Sequence, residues 1–427
     1  MVTIISFFIV LSILVFVHEL GHYLAARAVG VKVLEFSLGF PPKAFGKKIG
    51  ETEYMMGWVP IGGFVRLLGQ DTTDENPEQP GNYAGKTKMQ RFFILVAGPI
   101  MNLLFAWVFF SLMYMNGVNR PLYLDSPAKI VSVVENSPAA VAGLQSKDVI
   151  LRVDGLNTPS WGDVNKRLES QGETIQLQVL RTGQRLRVEL KGDKFNPAGL
   201  GVRPWVDPLA GAISPGSPAE LAGIQTGDRF VRIGERKITE WSQVPDEIQL
   251  SDGKPVEFQI LREGRLVNFQ VTPKYNETAK RYLIGMGQYS TLVQFGFVES
   301  WDKGYNRAVS MTKMTLSFVG QLVSGNGSKD SLGGPIMIAQ MVGKAAKNSS
   351  SELLALMAFI SLQLGVFNLF PLPALDGGHI LFLVIEALMG RPLKASVRAK
   401  IQQFGFSALL VLILYISIQD GFRLFGQ

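Results

Sequence analysis

Residues 2–17 are uncharged and mostly apolar, and the run continues without a break into His18-Glu19-Leu20-Gly21-His22. Four stretches of this kind are long enough to cross about 30 Å of hydrocarbon. They start at residue 2, and then cover 92–119 (between Arg91 and Arg120), 353–375 (between Glu352 and Asp376) and 401–419 (between Lys400 and Asp420). A shorter apolar piece, 380–385, predicts a re-entrant or interfacial segment. Residues 35–70 are rich in Gly and aromatics, and alternation over 53–59 predicts a β-hairpin dipping towards the site that the His18–His22 motif marks. A plain amphipathic loop is the other reading of that stretch. Residues 71–81, with four acids and two prolines, read as a solvated linker. Helical spacing over 298–323, with Trp301, Tyr305, Met311 and Met314, predicts a helix along the outer membrane surface or a packed soluble one.

The region between spans two and three repeats itself. Ser137-Pro138-Ala139, Ala142-Gly143-Leu144, Asp148 and Trp161 return as Ser217-Pro218-Ala219, Ala222-Gly223-Ile224, Asp228 and Trp241, each 80 positions on. Each unit reads as strand, short helix after Ser-Pro, strand, helix near the Trp, then two strands. This order resembles PDZ domains in the permuted arrangement of bacterial proteases, over 125–204 and 205–290. There the resemblance implies a peptide groove at Gly199, Leu200, Gly201 and Val202, and at Ile284, Gly285, Met286 and Gly287. Such a groove takes a C-terminal peptide by strand addition. The alternative is that the grooves are closed and the units act as steric filters.

Of 427 residues, 47% are hydrophobic and 18% charged, which suits a membrane protein with a soluble portion. The net charge of +7 is scattered, so nucleic-acid binding is not indicated. Charge matters here as a topology signal. Residues 27–91 carry nine Lys or Arg, and Arg391, Lys394, Arg398 and Lys400 lie between spans three and four. Both loops are therefore expected inside, and residues 120–352 outside. A cleavable leader would lose the His motif at Ala25-Ala26, so helix one is expected to be retained. Entering from outside, it carries the chain roughly 24 Å across before His18.

The chain has three His and no Cys, so a metal must use imidazole and carboxylate. Two His at i and i+4 share one helical face, with Glu19 beside the first; this is the zinc-hydrolase pattern H-E-x-x-H. Ionisable groups at the end of a membrane-length helix are costly unless they are paired or metal-bound. A hydrolytic zinc site keeps three protein ligands and an open position. Span three brings Asp376 to the same side, after Asn368 and two prolines, so Asp376 is the expected third ligand. His379 as ligand, or Asp376 as a mere interfacial cap, are the alternatives.

H-E-x-x-H in the first span, N-x-x-P-x-P-x-x-D-G-G closing the third, Gly98-Pro99-Ile100-Met101-Asn102 in the second and paired PDZ-like units between together resemble the site-2 protease family of intramembrane zinc metalloproteases. The resemblance implies a polytopic α-helical membrane protein with four transmembrane helices, a membrane-reentrant β-hairpin and two tandem permuted PDZ (α+β) domains. It implies one Zn2+ on His18, His22 and Asp376, Glu19 as general base, and substrate contacts at Asn368 and at the hairpin glycines Gly39, Gly62 and Gly63. It further implies a bacterial inner membrane location with the active site near the cytoplasmic face. Its substrates would be single-span proteins already trimmed outside, such as anti-sigma factors of envelope-stress signalling or remnant signal peptides, in contact with lipid. From another class, a non-catalytic membrane scaffold with a structural zinc site also fits the layout. A metal transporter would want ionisable residues spread over several spans, not clustered at one depth.

Overall fold

The computed structural model describes residues 2–70, 79–168, 174–191, 200–277, 279–325 and 333–425. Most of the acidic linker (71–78) and Gly199 lie outside the described residues. Two compact units emerge: Met1–Val118 with Gln294–Gln427, and Asn119–Val293.

The first unit opens with α1 (Val2–Ala28), followed by the antiparallel hairpin of β1 (Val33–Ile49) and β2 (Thr52–Leu67) and then by α2 (Lys88–Asn116). Thr87 and Gln90 close a reciprocal capping box at the start of α2, so the helix begins four residues before the apolar run at 92. It stops at Asn116 because Gly117 takes φ 109°.

The second unit holds β3 (Val118–Pro121), β4 (Ala128–Val133), α3 (Pro138–Val141), β5 (Val149–Val153), β6 (Leu156–Asn157), α4 (Trp161–Leu168), β7 (Thr174–Arg181), β8 (Gln184–Lys191) and β9 (Val202–Pro204). The same order returns in β10 (Ala210–Ile213), α5 (Pro218–Leu221), β11 (Arg229–Ile233), β12 (Arg236–Lys237), α6 (Gln243–Leu250), β13 (Val256–Arg262) and β14 (Arg265–Val271). A small hairpin of β15 (Lys274–Asn276) and β16 (Arg281–Leu283) follows, then β17 (Met286–Gln288) and β18 (Ser290–Val293). Ser137 and Ser217 cap α3 and α5 through their Oγ, each with Pro at the first helical position. Ile130, Ile150, Trp161 and Leu177 fill one core; Phe230, Phe258, Ile260 and Val244 fill the other. The sheets are small and open, with strand order β8-β7-β5-β4-β9 in the first repeat and β12-β11-β13-β14 in the second.

The chain then returns to the first unit through α7 (Phe297–Val323), α8 (Pro335–Asn348), α9 (Ser350–Asn368), α10 (Asp376–Met389) and α11 (Ala395–Phe425). Among the described residues, four helices are long and apolar enough to cross a membrane: Val2–Ala28, Lys88–Asn116, Ser350–Asn368 and Ser396–Phe422. Leu14 of α1, Ala106 and Phe110 of α2, Val342 of α8 and Leu362 of α9 are buried together in their core.

Three expectations change. The third span ends at Asn368 rather than 375, because Pro371 and Pro373 have no N–H to continue the ladder and Ala374 takes φ 79°. The apolar piece at 380–385 belongs to a fourteen-residue helix, α10, whose first residue is Asp376. The segment expected along the outer surface instead runs antiparallel beside α2. Phe295 stacks edge-on to Tyr114, the Trp107 indole N–H donates to the Trp301 carbonyl at 2.9 Å, and Ala308 and Thr312 line one apolar cavity with Leu103 and Leu104. Gly304 allows this approach, since a Cβ there would strike Ser111.

Candidate metal centre

α1 packs face to face on α2 because both carry small residues at the crossing. A Cβ on Gly21 would meet the Ala97 carbonyl, and one on Gly98 would run into the His22 ring. The close approach lets α2 supply partners to the α1 histidines. The His22 Nδ1 lies 2.8 Å from the Ile94 carbonyl, which can only accept, so Nδ1 carries the proton and Nε2 keeps its lone pair. Pro99 has no N–H for the Leu95 carbonyl, which loosens the helical ladder in that same turn.

The third side chain comes from the break after α9. The turn 369–375 folds so tightly that a Cβ on Gly377 would strike the Phe370 carbonyl and one on Gly378 the Leu372 carbonyl. This places Asp376 against α1. His18 Nε2 lies 3.1 Å from Asp376 Oδ2, His22 Nε2 lies 3.5 Å from it, and the two Nε2 atoms are 3.2 Å apart. A tetrahedral zinc with bonds of 2.0–2.1 Å holds its ligand atoms about 3.3–3.4 Å apart, so the triangle has the right size. Asp376 Oδ2 is buried without a hydrogen-bond donor. Two imidazole nitrogens and a carboxylate oxygen converging at this spacing, the oxygen without a hydrogen-bond partner, are what a cation satisfies, so the residues present fit zinc.

A cavity of about 160 Å³ opens beside the triangle, lined by His18, Glu19, His22, Asp376 and His379 together with Phe64 and Val65 of β2. Glu19 thus shares the space in which a substrate carbonyl would meet the metal. Gly63 sits against it: a Cβ there would press on Val15 and lie 3.3 Å from Glu19 Cγ. Gly62 packs on the Phe40 ring and Gly39 on the Val59 carbonyl; both shape the hairpin and neither lines the cavity. Asn368, half-buried at the end of α9, is also not among the lining residues. His379 lines the cavity, but its Nε2 lies 3.1 Å from Gln402 Nε2, and it stands outside the metal-ligand group of His18, His22 and Asp376.

In the second unit, the expected groove residues turn towards their own repeat. The Leu200 and Gly201 carbonyls accept from the Ala139 and Val134 N–H groups, and those of Ile284 and Gly285 accept from Ala219 and Ser214. Gly201 and Gly285 take φ 73° and 75°, where a side chain would strike Ser137 or Ser217. Val202 in β9 pairs with Val133, while Met286 and Gly287 lie in β17, where Met286 pairs with Ile213. Sequence reasoning missed the arginines of this unit. Arg181 grips Asp148 through Nε and a terminal nitrogen, both at 2.7 Å, and Arg262 grips Asp228 in the same way at 2.8 and 2.7 Å. Their offset is 81 (262 − 181), not 80, so a fixed-offset search passes over them.

Comparison with known proteins places the whole chain among metalloprotease relatives. The model of Peptidase family M50 matches residues 6–412. The chain is similar to the regulator of sigma-E protease RseP of Salmonella typhimurium, at 33% identity over 450 residues that cover 98% of this chain and 97% of that one. It is similar to the regulator of sigma E protease of Haemophilus influenzae, at 32% over 447 residues and 98% of both chains. The protease RseP of Yersinia pestis is 32% identical over 452 residues, 98% of this chain and 97% of its own.

Proposed function

We propose that this chain, which belongs to peptidase family M50 and is a zinc metalloprotease of the bacterial membrane, cleaves transmembrane segments of single-span proteins. The observation that carries the reading is the triangle of His18, His22 and Asp376, with edges of 3.1–3.5 Å, beside Glu19 in one cavity between helices of membrane-spanning length.

His18 and His22 would hold the ion through Nε2 and Asp376 through Oδ2. When bound, zinc supplies Lewis acidity towards a peptide carbonyl and towards water. Glu19 takes the proton of the attacking water and passes it to the leaving amine. The apolar walls, Phe64 and Val65 among them, limit bulk water around that transfer. A substrate helix hides its amides in i→i−4 bonds and must be unwound first. The β1–β2 hairpin, placed re-entrant in the membrane, offers an extended substrate strand pairing near Gly63, and Asn368 offers amide hydrogen bonds to the released backbone.

The repeated unit 119–293 lies on the periplasmic side as a pair of PDZ domains and gates admission, passing proteins already trimmed outside. Anti-sigma factors and remnant signal peptides have the required form. β9 and β17 each end their sheet among the described residues, which supports strand addition of a C-terminal peptide.

The test compares wild type with Glu19→Gln in detergent, reading zinc content and cleavage of a single-span helix. One zinc in both, with cleavage by wild type alone, is expected. Zinc in both and cleavage by neither, across a panel of helices, would overturn the protease reading for this chain's site and favour a non-catalytic PDZ scaffold.

A further inference from the structure

His22 and His18 are oriented by the same helix, but by different chemistry. The carbonyl behind His22 can only accept. Behind His18 stands the side-chain amide of Asn102, fully buried on α2, its Nδ2 placed 3.1 Å from Nδ1. An amide can offer either end. With Nδ2 towards the ring, Nδ1 accepts, the proton moves to Nε2, and His18 loses the lone pair it turns towards Asp376 and His22. The other end of this amide, Oδ1, is buried without a partner. Turning the amide over presents that oxygen to Nδ1; Nδ1–H then donates to it and Nε2 is free to ligate. With Nδ2 on the ring the oxygen is left unpaired, so no other bond holds the amide that way round and the requirement of the histidine decides.

We propose that Asn102 is a positioning residue for zinc binding: its amide oxygen accepts from His18 Nδ1–H and so fixes His18 in the ligating tautomer. Its backbone is held for the task. The Ser361 hydroxyl, fully buried on α9, donates to the Asn102 carbonyl at 2.8 Å, which ties this point of α2 to the helix leading to Asp376. Gly98, one turn earlier, leaves room for the His22 ring, so Gly98-Pro99-Ile100-Met101-Asn102 serves both imidazoles: it makes space for one and holds the other.

The inference rests on the metalloprotease reading of the same site, and its test keeps the two separable by measuring zinc affinity apart from cleavage. The full chain in detergent is titrated against a competing chelator as wild type, Asn102→Leu and Asn102→Asp, and the histidine tautomers are read by nitrogen-15 NMR on the zinc-loaded proteins. Outer-shell partners of metal ligands are worth about 10–100-fold in affinity. Asn102→Leu is expected to lose that much, while Asn102→Asp, an acceptor at both oxygens, is expected to stay within about threefold of wild type or bind tighter, with Nδ1 protonated. Equal affinity in all three proteins would overturn the proposal, as would equal loss in both variants, which a packing role alone would give. If Asn102→Leu does not fold, Asn102→Ala takes its place as the variant without an acceptor, with the same expected loss of about 10–100-fold, and a loss of about tenfold or more in Asn102→Asp refutes the proposal. Wild type without zinc would sink the metalloprotease reading itself.

Discussion

A β-carbon at position 98 has nowhere to go. It would enter the space held by the His22 imidazole, whose Nδ1 is tied to Ile94 and cannot swing away without giving up that bond. Gly98→Ala must therefore part α1 from α2 or displace a zinc ligand. Overpacking of this kind costs about 1–3 kcal/mol, and here the cost falls on the metal site. The expected result is a folded protein whose zinc affinity drops about tenfold or more, measured by chelator competition beside a control such as Gly421→Ala, where nothing lies within 4 Å. Unchanged zinc affinity in Gly98→Ala would show that the helices yield without cost. At this scale the sequence was legible where chemistry is local, and at Asp376 where span topology and a broken helix end marked a distant residue. His18 and His22 could be read because four residues of helix put them on one face, and Glu19 because it stands beside the first. Ile94 and Asn102 could not, because their contacts to the histidines span 72 and 84 positions and depend on how closely two helices approach.

Among elements, the repeated unit shows what each copy must keep. Asp148 is fully buried; besides Arg181 it accepts from the Gln145 N–H at 2.9 Å, and Arg181 also donates to the Gly143 carbonyl. The carboxylate thus pins the α3–β5 turn to the end of β7. Burial alone pushes its carboxyl up, but Arg181 and the Gln145 N–H outweigh that and hold it below the ordinary carboxylate range. A depressed folded value means that the unfolded chain takes the proton first as pH falls. The stabilisation is complete above the unfolded value of about 3.9 and is lost as pH drops through the folded one. Breaking a buried pair costs about 3–5 kcal/mol, and Arg181, a quarter exposed, places Asp148→Asn near the lower end. Hydrogen exchange over residues 128–191, corrected for intrinsic rates, should quicken in Asp148→Asn at pH 7, and the difference from wild type should shrink below about pH 4. A difference that held constant down to pH 2 would exclude Asp148 as the titrating group. The strands and short helices of both copies followed from alternation and Ser-Pro caps, whereas the arginines were hidden by a one-residue change of offset. The placement of α7 was hidden as well, because a helix of mixed polarity reads alike whether it lies on a surface or, through one glycine at 304, beside a spanning helix.

Taken as a whole, the molecule is a membrane unit interrupted by an inserted one. The chain leaves the first unit after α2 and re-enters it at almost the same place. The Gln294 side-chain amide donates to the Asn116 carbonyl at 3.2 Å, and the Phe295 N–H donates to the Tyr114 carbonyl at 3.2 Å. Closely spaced ends are the mark of an insertion that its host can do without. None of His18, Glu19, His22, Asp376 or Asn102 belongs to the inserted stretch, nor does any helix they stand on. The candidate site residues and the repeated unit are therefore carried by separate parts of the chain, as the gating proposal requires. A short Gly-Ser linker in place of residues 119–293 should leave one zinc bound and leave cleavage of a trimmed single-span helix close to wild type. The same protein should now accept a substrate that keeps a folded outer domain, raising the ratio of untrimmed to trimmed kcat/KM by about tenfold or more. Loss of cleavage for both substrates with zinc retained would mean that the repeats help to hold the substrate. An unchanged ratio would mean that selection lies in the membrane unit itself, with the β1–β2 hairpin next to be tested.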